Sequence, residues 1–82
     1  MNDAAAGEGL DDIALAVLTG MLGGGTRRWS PGLLKHYVPV KDEGELAGIL
    51  DDLCRRGLAG RDRGGLYFLT DAGRDAIMRA VT

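Results

Sequence analysis

Eighty-two residues with a formal net charge of -2 form one modest core, burying roughly 60% of the unfolded chain's surface, which excludes a two-domain reading. That charge gives no global attraction to nucleic acid or to an anionic membrane, so any such binding has to come from a local patch. One cysteine and one histidine supply neither an internal disulfide nor the usual four-ligand zinc site, and a reducing setting is the natural expectation.

The charge is unevenly spread along the chain. Residues 1–29 carry a net -2, residues 30–52 a net -3, and residues 53–82 a net +3. The C-terminal third is therefore the basic end. Residues 1–9 are small, acidic and glycine-containing, have nothing to bury, and are expected to be a disordered lead-in. They lack the basic start and apolar run of a signal peptide, and no segment approaches ~18 consecutive apolar residues. The expectation is a cytoplasmic protein without membrane contact, with the folded domain spanning residues 10–82.

From Leu10 the residues Leu10, Ile13, Ala14, Val17, Leu18 and Met21 follow the spacing of one helical stripe. Asp11 and Asp12 sit at the favourable end of the dipole, and Gly23, Gly24 and Gly25 stop the helix and turn the chain. A short extended link, Thr26 to Trp29, leads to Ser30-Pro31, an N-cap followed by proline at the first helical position. This second helix is predicted to run to Tyr37 or Val38 and to end before Pro39. Trp29 and Leu34 have the positions of a hydrophobic staple across its start.

The clearest helix lies between Asp42 and Gly57. Leu46, Ile49, Leu50 and Leu53 form its apolar stripe, Asp42 and Glu45 have the spacing of a capping box, and Gly57 follows two arginines at the exit. The opposite face carries Gly44, Glu45, Gly48, Asp51, Asp52 and Arg55. Two short runs, Leu58 to Asp62 and Leu66 to Leu69, flank Arg63-Gly64-Gly65 and read as a β-hairpin. Tyr67 and Phe68 should point to opposite faces of its second strand, one more exposed than the other. Thr70-Asp71 then starts a last helix with Ala76, Ile77, Ala80 and Val81 as its apolar residues. A two-stranded ribbon is marginal by itself and has to pack on the helices. The expected class is α+β, mostly α: a winged helix-turn-helix with a three-helix core, a hairpin wing and a short C-terminal helix.

The stretch Leu50-Asp51-Asp52-Leu53-Cys54-Arg55-Arg56-Gly57-Leu58, followed by Arg61-Asp62-Arg63-Gly64-Gly65-Leu66-Tyr67-Phe68-Leu69-Thr70-Asp71-Ala72-Gly73-Arg74, resembles the recognition-helix end, wing and Leu-Thr-x-x-Gly-Arg helix start of MarR-like and PadR-like winged-helix regulators. The likeness covers about residues 10 to 82. It implies a transcriptional regulator that binds double-stranded DNA as a two-fold homodimer, with the third helix in the major groove and the wing on the backbone. By position, Lys41, Glu43, Gly44, Glu45 and Gly48 would then face bases, and Arg61 and Arg63 would lie on the wing.

Base readout favours Arg, Lys, Asn and Gln, none of which lies between Asp42 and Leu53. Phosphate contact is the reading for Arg55, Arg56, Arg61 and Arg63, with Arg27, Arg28, Lys35 and Lys41 as companions near the second helix. The bland alternative pairs Arg55 and Arg56 with Asp51 and Asp52 one turn back. A rival function uses the acidic side chains Glu43, Glu45, Asp51 and Asp52 to hold a basic protein partner, since fold does not fix function.

His36 has no ligand-spaced neighbour. Cys54 adjoins the apolar stripe as a small core residue, although the arginines after it would lower its pKa if it were exposed. The glycine run lacks the ending of a phosphate-binding loop. No catalytic constellation is present, and neither an enzyme activity, a metal nor a cofactor is expected.

Overall fold

A computed structural model describes residues 10–24 and 28–81 of the chain. Four helices and one hairpin follow in the order α1 (Asp12–Gly23), α2 (Pro31–Leu34), α3 (Glu43–Arg55), β1 (Ala59–Arg61), β2 (Tyr67–Leu69) and α4 (Asp71–Val81). The expected lead-in and the link residues 25–27 lie outside the described residues.

All four helices begin by the same local device. A side-chain oxygen accepts a hydrogen bond from the backbone N–H three residues on: Asp11 from Ala14 at 2.8 Å, Ser30 from Leu33 at 3.2 Å, Asp42 from Glu45 at 2.8 Å and Thr70 from Gly73 at 3.0 Å. Each satisfies an N–H that the first helical turn leaves without a partner. The reciprocal half of the expected capping box does not form, because the Glu45 carboxylate has no hydrogen-bond or ion-pair partner among the described residues.

At its other end α3 stops in a Schellman motif. Gly57 N–H donates to the Cys54 carbonyl at 3.0 Å and Leu58 N–H to the Leu53 carbonyl at 2.9 Å, and Gly57 adopts φ +78°, the left-handed conformation that glycine reaches without strain. The helix α2 is shorter than predicted, a single turn instead of two. His36 and Tyr37 donate to Leu33 and Leu34, three residues back, so the chain tightens into successive turns, and Pro39 can supply no N–H to continue a helix.

The core is built from Val17, Leu18 and Met21 of α1, Leu34 of α2, Leu46, Leu50 and Leu53 of α3, Trp29, Tyr67 and Leu69 of the ribbon side, and Ile77 of α4. Leu10 and Ile49 are partly buried against it. Ile13, on the predicted α1 stripe, is 46% exposed: it lies at the margin of the stripe, lining an open groove with Glu45, Gly48 and Ile49 of α3.

The hairpin pairs Ala59 with Leu69, Gly60 with Phe68 and Arg61 with Tyr67, antiparallel. Tyr67 also exchanges both backbone hydrogen bonds with Trp29, each 2.7 Å long. The extended link thus adds a one-residue bridge on the far side of β2, where the sequence suggested only a connection.

Gly48 sits mid-helix on the solvent side of α3, and a Cβ built there meets no atom within 4 Å. Gly48→Ala is therefore expected to stabilise the domain by about 0.5–1 kcal/mol, through the backbone entropy that glycine loses on entering a helix. The rise of roughly 2–8 °C in Tm would appear in a thermal melt; an unchanged or lower Tm would contradict the open setting of this residue.

Candidate nucleic-acid interface

The surface that α3 presents away from the core is bare at its start and charged at its end. Gly44, Glu45, Gly48 and Arg55 are exposed, and Asp51 and Asp52 are half-buried. The exposed side of α3 is thus the face anticipated from the periodicity, but its charges are wired differently.

Arg55 and Arg56 both pair with Asp52, each at 3.1 Å. Asp51 turns instead toward the ribbon. Its Oδ1 accepts a 2.7 Å hydrogen bond from the Tyr67 hydroxyl and lies 4.0 Å from the Arg61 guanidinium. Asp51 therefore joins α3 to β2, and the expected pairing of Asp51 with an arginine one turn later is replaced by a contact sixteen residues away. Burial, and then this hydrogen bond to a carboxylate, push the Tyr67 hydroxyl above its ordinary pKa, which keeps it a donor.

Cys54 lies partly buried against the core beside this cluster. Burial first, and the Asp51 carboxylate second, push its thiol upward, outweighing the opposing effect of Arg61. Cys54 thus packs against the core as the sequence suggested, the exposure that a depressed pKa would have required is absent, and the neutral thiol is favoured.

The wing turn is closed around Asp62. Asp62 N–H donates to the Leu66 carbonyl at 2.9 Å, Gly65 N–H donates to the Asp62 carbonyl at 3.0 Å, and the Asp62 carboxylate accepts from Leu66 N–H at 2.9 Å. Of the two turn glycines, Gly65 takes a positive φ, +84°, and Gly64 does not. Arg63 projects from this turn, exposed, with no carboxylate partner among the described residues.

Arg28 reaches the same wing from the incoming link. Its guanidinium stacks 4.5 Å from the Phe68 ring centroid and lies 3.7 Å from Asp62. The sequence grouped Arg28 with the second helix; the Trp29–Tyr67 bridge brings it to the hairpin instead. Arg61 likewise lies over the Tyr67 ring at 5.4 Å. Tyr67 is buried and Phe68 half-buried, the division of roles expected of neighbouring strand residues.

A second basic group lies at the opposite end of α3. Lys35 Nζ pairs with Glu43 at 2.8 Å and Lys41 Nζ donates to the Lys35 carbonyl at 2.9 Å. The structure thus divides the predicted contact residues: Lys41 stands at the entrance of α3, Glu45 and Gly48 lie along it, and Arg55, Arg61 and Arg63 gather at its exit and on the wing. Of the four carboxylates considered for a protein partner, Glu43, Asp51 and Asp52 are each engaged within the chain. The ion pairs of Glu43 and Asp52 lie at the surface, and surface pairs are worth ~0–1 kcal/mol. Competing phosphate oxygens would displace them at little cost.

His36 is exposed, and no group of three or more metal-ligating side chains occurs among the described residues. No helix among them is long and apolar enough to cross a membrane.

Three helices, the third backed by a two-stranded antiparallel hairpin and followed by a further helix, define the winged-helix fold. Among solved structures the chain is similar to BpsR of Bordetella bronchiseptica, a protein whose DNA binding is regulated by 6-hydroxynicotinic acid, with a TM-score of 0.74 at 22% sequence identity. The match covers 88% of this chain and 54% of the BpsR chain, so this chain spans about half the length of that neighbour. No protein-family model matches the sequence, and no curated protein does.

Proposed function

We propose that this chain is a winged-helix DNA-binding protein of the transcriptional-regulator kind. In this reading α3 faces the major groove of a duplex while Arg61 and Arg63 of the wing rest on its backbone, as in the MarR-like and PadR-like regulators that the sequence resembles. The observation that carries it is the wing: Arg63 is exposed without a carboxylate partner among the described residues, and Arg61 is held loosely, by a 4.0 Å contact to Asp51 and by the Tyr67 ring at 5.4 Å. The fold shared with BpsR, a protein with DNA-binding activity, supports the same direction. Each phosphate met by such an arginine releases condensed counterions, which supplies affinity despite the net negative charge of the chain.

The rival reading, a module that holds a basic protein partner, rests mainly on Glu45, since Glu43, Asp51 and Asp52 have cationic neighbours of their own. DNA binding is the reading we adopt.

Fluorescence anisotropy with a short labelled duplex tests it. Binding at 50 mM salt should weaken steeply by 200 mM, and Arg61→Ala combined with Arg63→Ala should lower affinity for every duplex and reduce the magnitude of the salt slope by about 2. Retention of the parent affinity and slope by the double variant would remove the wing from the interface.

A further inference from the structure

Reading a base edge in the major groove requires side chains that reach it, and the productive pairings are arginine or lysine with guanine, asparagine or glutamine with adenine, and a carboxylate with the amino group of cytosine. On the exposed side of α3, Gly44 and Gly48 offer no side chain at all. A Cβ built on Gly48 would meet no neighbour, and one on Gly44 only the Asp42 carboxylate at 3.4 Å, so these positions are open because of their residue type and not because something covers them. Asp51 is occupied by Tyr67 and Arg61, and Asp52 by Arg55 and Arg56. Glu45 and Arg55 are the exposed side chains left on this surface; the charge of Glu45 is repelled by the phosphates lining the groove it would have to enter, and Arg55 stands at the exit end of the helix, paired with Asp52.

The cations, by contrast, stand at the two ends of this helix. At its entrance Lys35 Nζ pairs with Glu43 and Lys41 Nζ is held by the Lys35 backbone carbonyl, and Arg55, Arg56 and Arg61 gather toward its exit. Thirteen residues at a rise of 1.5 Å give α3 a length of about 20 Å. The carboxylates that hold the two groups, Glu43 and Asp52, lie nine residues apart along it, a rise of about 13 Å, close to the ~12 Å width of a B-DNA major groove and suited to phosphates on either side of it.

We infer that α3 occupies the major groove without reading it, and that the chain binds duplex DNA with little regard to sequence. The inference rests on the DNA-binding reading above and adds to it the class of DNA recognised. Contacts to phosphates position a protein on a duplex but carry no direct sequence information.

Anisotropy titrations of the 82-residue chain against four 20-base-pair duplexes, one of them an A-tract and one G·C-rich, at 50 and 200 mM salt, test the inference together with selection from a random duplex pool. The expected result is a set of affinities within about threefold of one another, a common salt slope, and no enriched motif. A motif bound tenfold or more above the pool would overturn the inference while leaving DNA binding intact. Failure to bind any duplex at 50 mM salt would instead overturn DNA binding itself, and the inference with it. A gain-of-function variant tests the position of α3: Gly48→Arg, at a site with room for a side chain, should create a preference of about fivefold or more for guanine-containing sites. If the variant binds DNA but enriches no motif, α3 is not in the groove and the inference fails.

Discussion

Trp29→Ala is expected to remove about 3–5 kcal/mol of stability, the usual cost of truncating a buried tryptophan. The indole is 1% exposed and meets the Tyr37 ring edge-on, with centroids 5.1 Å apart at 66°. A Cβ built on Gly24 would lie 2.2 Å from an indole carbon, so the end of α1 packs directly on the ring. Alanine would leave a cavity at the point where the end of α1, the start of α2 and the hairpin meet. A domain of this size is stable by only ~4–12 kcal/mol, so the variant should lose a large share of its stability. Urea titration of the variant against the parent gives the difference, and a loss below about 1 kcal/mol would show that Trp29 is not central to the core. Trp29→Phe, which keeps a ring, should recover much of the loss.

Gly73→Ala is the second large expected effect, and it explains part of the Leu-Thr-x-x-Gly-Arg motif in physical terms. A Cβ on Gly73 would lie 2.1 Å from the Leu58 carbonyl oxygen and 2.8 Å from Leu69 Cδ1. The first of these is backbone, held on its other side by the Schellman turn that ends α3, so it cannot swing away as a flexible side chain would. Thr70 ties the same junction, its hydroxyl donating to the Gly57 carbonyl at 2.8 Å while accepting from Gly73 N–H.

The added methyl must push α4 away from the α3–β1 corner, and overpacking of this kind costs about 1–3 kcal/mol, occasionally more. We expect the upper end of that range or beyond, even though alanine is the better helix former by ~1 kcal/mol. Gly48→Ala supplies the internal control, since there the same substitution meets open solvent. Equal Tm changes for the two variants would refute the close approach at Gly73.

The hairpin and the helix starts were legible because their signals are local. An N-cap oxygen and the N–H it serves lie three residues apart, and an apolar stripe recurs within one turn, so Ser30, Asp42 and Leu46–Leu50–Leu53 could be recognised without knowing what they touch, whereas Asp11 was read for its charge at the helix dipole and proves to be the cap of α1. The same reasoning overextended α2. Leu33, His36 and Tyr37 are compatible with helix, yet His36 and Tyr37 close three-residue turns ahead of Pro39.

The candidate interface was legible in residue type but not in wiring. Arg55 and Arg56 were close enough in sequence to Asp51 and Asp52 for pairing to be foreseen, but the choice of Asp52 for both depends on Asp51 being claimed by Tyr67 and Arg61. Nothing in the spacing of Asp51 and Tyr67 signals that bond.

The amino-acid sequence by itself determined the caps of α2 and α3, the glycine stop after α3 and the mostly acidic or bare outer face of that helix, because each follows from residues within a turn or two of one another. The tertiary structure alone decided that Asp51 fastens α3 to the hairpin, that the Trp29–Tyr67 bridge carries Arg28 to the wing, that Cys54 packs beside Asp51 with its pKa pushed upward, and that Gly73 leaves room for the Leu58 carbonyl. Those outcomes depend on contacts between residues far apart in the chain, and such contacts exist only once the apolar stripes have collapsed onto one core.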